Sequence, residues 1–135
     1  MRKLLDTSFK YMILGLVSGV FYREFTKFQG FVGVTRLSYL HPHFLVLGMF
    51  GFLIFMLLEK AFSISSHHKF KRFYVTYNVG LLTTGLMLFV RGVTEVLNSP
   101  LSKGMSAAIS GLAGLSHIIL TIGIMFLFSI LREKI

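Results

Sequence analysis

Two histidines flank a proline at the head of a long apolar run, Leu40 to Leu58, in LHPHFLVLGMFGFLIFMLL. No acid or amide follows before Glu59. A side chain that titrates near neutral pH is costly in hydrocarbon and rarely sits there without a partner. His117 lies inside a second apolar run, GLAGLSHIILTIGIMFLF. The chain has no cysteine. That removes disulfides, iron–sulfur clusters and thiolate ligation, and leaves histidine as the strong nitrogen ligand. The chemistry these residues point to is metal ligation, with haem iron as the foremost candidate.

Spacing narrows which histidines can act together. From Lys60 back to His43 is 17 residues, roughly 25 Å, and from Arg132 back to His117 is 15 residues, roughly 22 Å, at ~1.5 Å per helical residue. His43 and His117 are therefore expected at nearly the same depth on different helices, as two axial imidazoles require. His41 and His43 stand two apart, about 200° round a helix, and cannot ligate one iron together. Pro42 lacks a backbone N–H and disfavours helical geometry at His41, so it is expected to open the helix at its first position or to kink it.

A porphyrin also needs flat space and partners for its propionates. Ser110, Gly111, Gly114 and Thr121 lie at or near the His117 face of a helix, and Gly48 and Gly51 offer weaker notches near His43. Arg23, Arg36 and Arg91 are expected at the membrane end where His41 and His43 also lie, and guanidinium suits carboxylates. Tyr22 and Tyr39 could add hydrogen bonds. The candidate site is thus His43, His117 and His41 with Arg23, Arg36 and Arg91, around a b-type haem.

The elements that must position these residues are membrane helices. Of 135 residues, 54% are apolar, 15 are phenylalanine and only 14% are charged, a balance too apolar for a soluble domain of this size. The formal charge of +9 is spread as punctuation between apolar segments and forms no basic patch for nucleic acid. The expected fold is all-α: a single domain over 1–135, a polytopic integral membrane protein built as a bundle of four transmembrane helices. The spans fall at about 9–25, 40–60, 73–96 and 105–131. Gly15 and Gly19 form a GxxxG pair, suited to close packing of a second helix. Arg91 and Glu95 share a helix face at i, i+4 and are expected to pair. His67 and His68, in SISSHHKFKR, read as solvated loop residues with no acid close by.

Counting bases with both termini on one side gives nine at that end against five at the other. Both termini are accordingly expected in the cytoplasm. No small-residue cleavage site follows the first apolar segment, so a cleavable signal peptide is not expected.

HPHFLVLGMFGFLIF resembles a helix of the haem-copper oxidase catalytic subunit, where a His-x-His pair gives one ligand to each of two haems. That resemblance, over about fifteen residues, matches His43 to the low-spin haem ligand and His41 to the high-spin one. A homotrimer of four-helix chains would reproduce the twelve helices of that subunit. The chain has no second histidine cluster for copper, so reduction of oxygen to water is not implied. Over nearly its whole length the sequence is also similar to a small family of uncharacterised bacterial four-helix membrane proteins, which share the HxH segment and the GLSHIILTIG-like fourth span. The similarity implies a location in the bacterial cytoplasmic membrane.

The expected function is that of a haem-binding membrane protein in electron transfer, gas sensing or haem handling, with a redox partner or a diatomic gas, membrane lipids and further copies of itself as partners. Whether it turns over a substrate stays open. One alternative is a small transporter or proton-relay subunit, weakened by the absence of a mid-span acid. Another is a non-haem copper or zinc site on His41, His43 and His117. No catalytic triad, phosphate loop or carboxylate pair appears.

Overall fold

The computed structural model describes residues 1–135. Four helices cover almost all of them: α1 (Arg2–Phe28), α2 (Leu37–Phe62), α3 (Phe70–Val96) and α4 (Lys103–Lys134). All four are long and apolar enough to cross a membrane. The shortest has 26 residues, ~39 Å at 1.5 Å per residue, against a hydrocarbon core of ~30 Å. The chain is an all-α, four-helix multi-pass membrane protein. Each helix overruns the apolar segment that predicts it, because basic and small polar residues at the ends continue the helical hydrogen bonding. The connector expected over 26–39 shrinks to 29–36, and the loop expected over 61–72 shrinks to 63–69.

Consecutive helices run antiparallel, so both termini lie at one end, here called the terminal end. Arg91 marks the other. Gly80 lets α3 and α4 touch through their backbones: a Cβ there would sit 2.6 Å from the Leu120 nitrogen. Buried Thr84 and Ser116 share a hydrogen bond of 2.9 Å across the same seam. At the α2–α3 seam Gly92 lies against the Leu37 backbone, and the Thr35 hydroxyl donates to the Gly92 carbonyl at 2.9 Å. The GxxxG pair of α1 receives α2 of the same chain, with Leu45 over Gly15 and His41 over Gly19. Tyr11 of α1 reaches α3, where its hydroxyl donates to Asn78 at 2.8 Å.

An aromatic core of Tyr11, Phe44, Phe52, Phe55, Phe73 and Tyr77 fills the space between α1, α2 and α3. In contrast, α4 packs along α3 and, at its C-terminal end, against the Ile64–Ser66 turn.

Pro42 does not open its helix. It is not the first residue of its helix, since α2 begins five residues earlier, at Leu37, which leaves the interior placement of the two expected. From His43 to Phe50 the backbone is instead π-helical. Proline withholds one helical donor, and the wider register after it frees carbonyls that side chains of neighbouring helices take up. Tyr77 donates to the Leu47 carbonyl at 2.9 Å and Ser8 to the Met49 carbonyl at 2.8 Å.

Candidate functional site

The contacts of α2 set the direction of each of its histidines. His41 and Leu45 point at α1, Leu40 and Phe44 at Gly85 of α3. His43 precedes Phe44 by one residue, so it turns about 100° away from α3 in the sense opposite to Leu45, onto the side of α2 remote from α1. Its Nδ1–H donates to the Tyr39 carbonyl at 2.7 Å. His41 Nδ1–H donates instead to the Gly15 carbonyl of α1 at 2.8 Å. The two rings serve opposite faces of α2, and His41 belongs to the α1 contact.

His117 follows the buried Ser116 and so leaves the α3 seam sideways. Its Nδ1–H donates to the Ala113 carbonyl at 2.7 Å, and the ring opens onto a cavity of ≈290 Å³ between α3, α4 and Arg36, whereas His43 lines a separate pocket with Tyr39, Pro42, Val46 and Leu47, so the single chain does not bring the two rings into one cavity. Arg36, Thr84, Leu88, Arg91 and Ser110 share that cavity. Gly111 and Gly114 face open space, with nothing within 4 Å of an added Cβ. The small-residue side of α4 is therefore bare in the single chain.

Backbone register across α3 fixes the relative depths. Leu37 lies beside Gly92 and Leu120 beside Gly80. Counting along the helices, His43 stands level with residue 86 and His117 with residue 83, ~3 residues or ~4.5 Å apart in depth. The expected equality of level thus holds to within one helical turn.

A carbonyl oxygen only accepts, so each of these imidazoles must carry its proton on Nδ1. In the neutral ring the lone pair then falls on Nε2, pointing away from the parent helix. This is the tautomer in which a metal-ligating histidine is held by its own backbone.

The arginines divide. Arg36 and Arg91 line the His117 cavity, whereas Arg23 is exposed near the end of α1, beside Glu24 at 3.8 Å. The expected pair of Arg91 with Glu95 does not form. Glu95 accepts from the Arg36 side chain and from its backbone N–H, each at 2.8 Å. Arg91 turns to α4, where Nη2 donates to the Ser106 carbonyl and to the hydroxyls of Ser106 and Ser110, at 3.0–3.2 Å. Helical spacing shows which groups share a face; it does not show that a third helix offers better partners.

The terminal end holds a cluster that the sequence does not reveal. His67, His68 and Glu133 bring their ligand atoms within 4.8 Å of one another, so the loop histidines do have an acid, delivered by the last turn of α4. His67 Nε2–H donates to Glu133 at 2.8 Å while its Nδ1 accepts the Lys69 amide at 3.1 Å. Lys69 also grips Glu133 and donates to Ser129. Hydrogen bonds from Lys69 and then His67 hold the Glu133 carboxyl down to about 2. Here the ring proton sits on Nε2, so the cluster is a hydrogen-bonded clamp between loop and α4. No signal in the local sequence joins residues 66 positions apart.

Fold and site define a four-helix multi-pass membrane protein with anchored histidines on two of its helices. Residues 1–134 match the family described as Protein of unknown function (DUF2871), and the chain belongs to it. No curated protein and no solved structure matches the chain.

Proposed function

We propose that this protein binds a b-type haem between α2 and α4 through His43 and His117, and does so as a homo-oligomer of the bacterial cytoplasmic membrane with both termini in the cytoplasm. The carrying observation is the shared state of the two rings: each is pinned through Nδ1 to its own helix and presents Nε2 outward. Arg36 and Arg91 would take the propionates, and Arg23 is left out because it stands exposed on α1 and does not line the His117 cavity. His41 is left out because its ring is committed to α1. When bound, the iron would carry one electron or, on losing one imidazole, a diatomic ligand.

The chain's own residues set the conditions for this. The Tyr39 and Ala113 carbonyls hold the imidazole protons on Nδ1, away from the metal side. The bare Gly111–Gly114 face admits a flat group against α4. A cavity of ≈290 Å³ is small for a cofactor pocket, and His43 does not line it, so a second copy would complete the site. Three chains, the number suggested by the oxidase resemblance, would place twelve helices in the assembly.

The test is the absorption spectrum, oxidised and dithionite-reduced, of the detergent-purified protein expressed with haem available. A Soret band with sharp reduced alpha and beta bands, lost in both His43→Ala and His117→Ala, is the expected result. A colourless protein after haem supplementation, or bands that survive both substitutions, would overturn it.

A further inference from the structure

The geometry points to an anion site at Arg91, entered from the Arg91 end of the bundle through a polar vestibule that leads to the His117 cavity. The vestibule measures ≈560 Å³ and is lined by Arg91, Thr94, Glu95, Asn98, Ser99 and Ser106 among others. Arg91 also lines the His117 cavity. Glu95 faces the vestibule while its partner Arg36 faces the cavity, so one ion pair and one arginine form the partition between the two spaces.

That partition carries two guanidinium groups and one carboxylate. Glu95 is committed to Arg36 by both its oxygens. Arg91 is partly buried, commits only Nη2 to α4, and makes no ion pair. An uncompensated charge at the membrane border is costly. Its remaining Nε–H and Nη1–H donors point to different sides of the guanidinium, and each offers one charge-assisted hydrogen bond to a carboxylate or small oxyanion. The expected occupant is therefore an anionic oxygen group. It is either a haem propionate, in which case the inference rests on the function proposed above, or a free small anion arriving through the vestibule.

The chain lacks cysteine, so a single introduced thiol reports access without background. Ala113→Cys places one in the cavity beside His117, Ser99→Cys one in the vestibule, and Val32→Cys one on the open surface, where Val32 is fully exposed. Oriented vesicles of the haem-free protein are treated from either face with negatively or positively charged methanethiosulfonates. The thiol at 113 should react from the Arg91 face alone. Its negative-to-positive rate ratio should be about tenfold higher than at position 32. Arg91→Gln should bring that ratio down to the surface value, and Arg91→Lys should keep it.

Protection of the thiol by haem loading but not by excess sulfate or acetate identifies a propionate as the occupant; protection by the salts identifies a free anion. Labelling from the terminal end, a ratio no higher than at position 32, or a ratio unchanged in Arg91→Gln would overturn the proposal. So would a thiol at 113 that stays unreacted while the one at 99 is labelled. The measurement needs no haem, so a colourless protein and a closed vestibule are separate failures.

Discussion

At the scale of the residue, what distinguishes the histidines is where the Nδ1 proton goes. His43 and His117 give it to carbonyls of their own helices and keep a free Nε2. His41 gives it to a carbonyl of another helix, which makes the ring a packing element between α1 and α2. His41→Ala should therefore leave the absorption bands of a haem-loaded sample unchanged while lowering stability by about 1 kcal/mol, the usual worth of an interhelical hydrogen bond in a membrane. Loss of the Soret band in that variant, seen in the same spectra as His43→Ala, would assign His41 to the metal. Thr84→Val should likewise cost about 1 kcal/mol in a detergent unfolding titration, because it leaves the buried Ser116 hydroxyl with only the Ala113 carbonyl.

Among the elements, α2 is unusual in carrying a π-helical segment directly after an interior proline. Two hydroxyls from neighbouring helices accommodate it, with Tyr77 on the Leu47 carbonyl and Ser8 on that of Met49. Tyr77→Phe should thus weaken folding by about 1 kcal/mol and loosen His43 with it, broadening the spectral bands in the haem-loaded protein. The seam of α3 with α4 responds to volume. Gly80→Val would press branched carbons into the Leu120 backbone, where even a Cβ would sit at 2.6 Å. A cost of roughly 1–3 kcal/mol is expected for such overpacking. The readout is a lower thermal midpoint, with His117 displaced from Arg91.

The whole molecule is asymmetric: α1, α2 and α3 supply the buried aromatic rings of the core, whereas α4 adds Leu120, Leu127 and Ile130 to it from one side, along α3, and is held at one clamp. That clamp is sensitive to acid. Glu133 is held down to about 2 from an ordinary 4.5, first by Lys69 and then by His67. A depressed carboxyl contributes stability that is present above its unfolded value and is lost as pH falls from about 4.5 toward 2. Glu133→Gln should therefore flatten the acid limb of a stability profile in that window and leave the profile near pH 7 parallel to it. The exposed small-residue face of α4 also predicts association. The protein component of the detergent-solubilised particle should weigh a multiple of 15.3 kDa, three being the expected multiple, by light scattering.

The sequence by itself determined the four membrane helices and their antiparallel order, because apolar length and basic punctuation are local properties that hydrocarbon enforces without help from neighbours. It also separated His41 from His43, since two residues of helix turn side chains apart whatever surrounds them. The partners of Glu95, Arg91 and Glu133 were decided only in three dimensions. Each of these side chains reaches a different helix or loop, and competition between a helical neighbour and a distant group is settled by which the packing brings within hydrogen-bond distance. Helix propensity left Pro42 either at the first helical position or at a kink. The tertiary structure placed it inside α2, because hydroxyls on α1 and α3 donate to the freed carbonyls of the π-helical segment, and those donors are invisible from α2 alone.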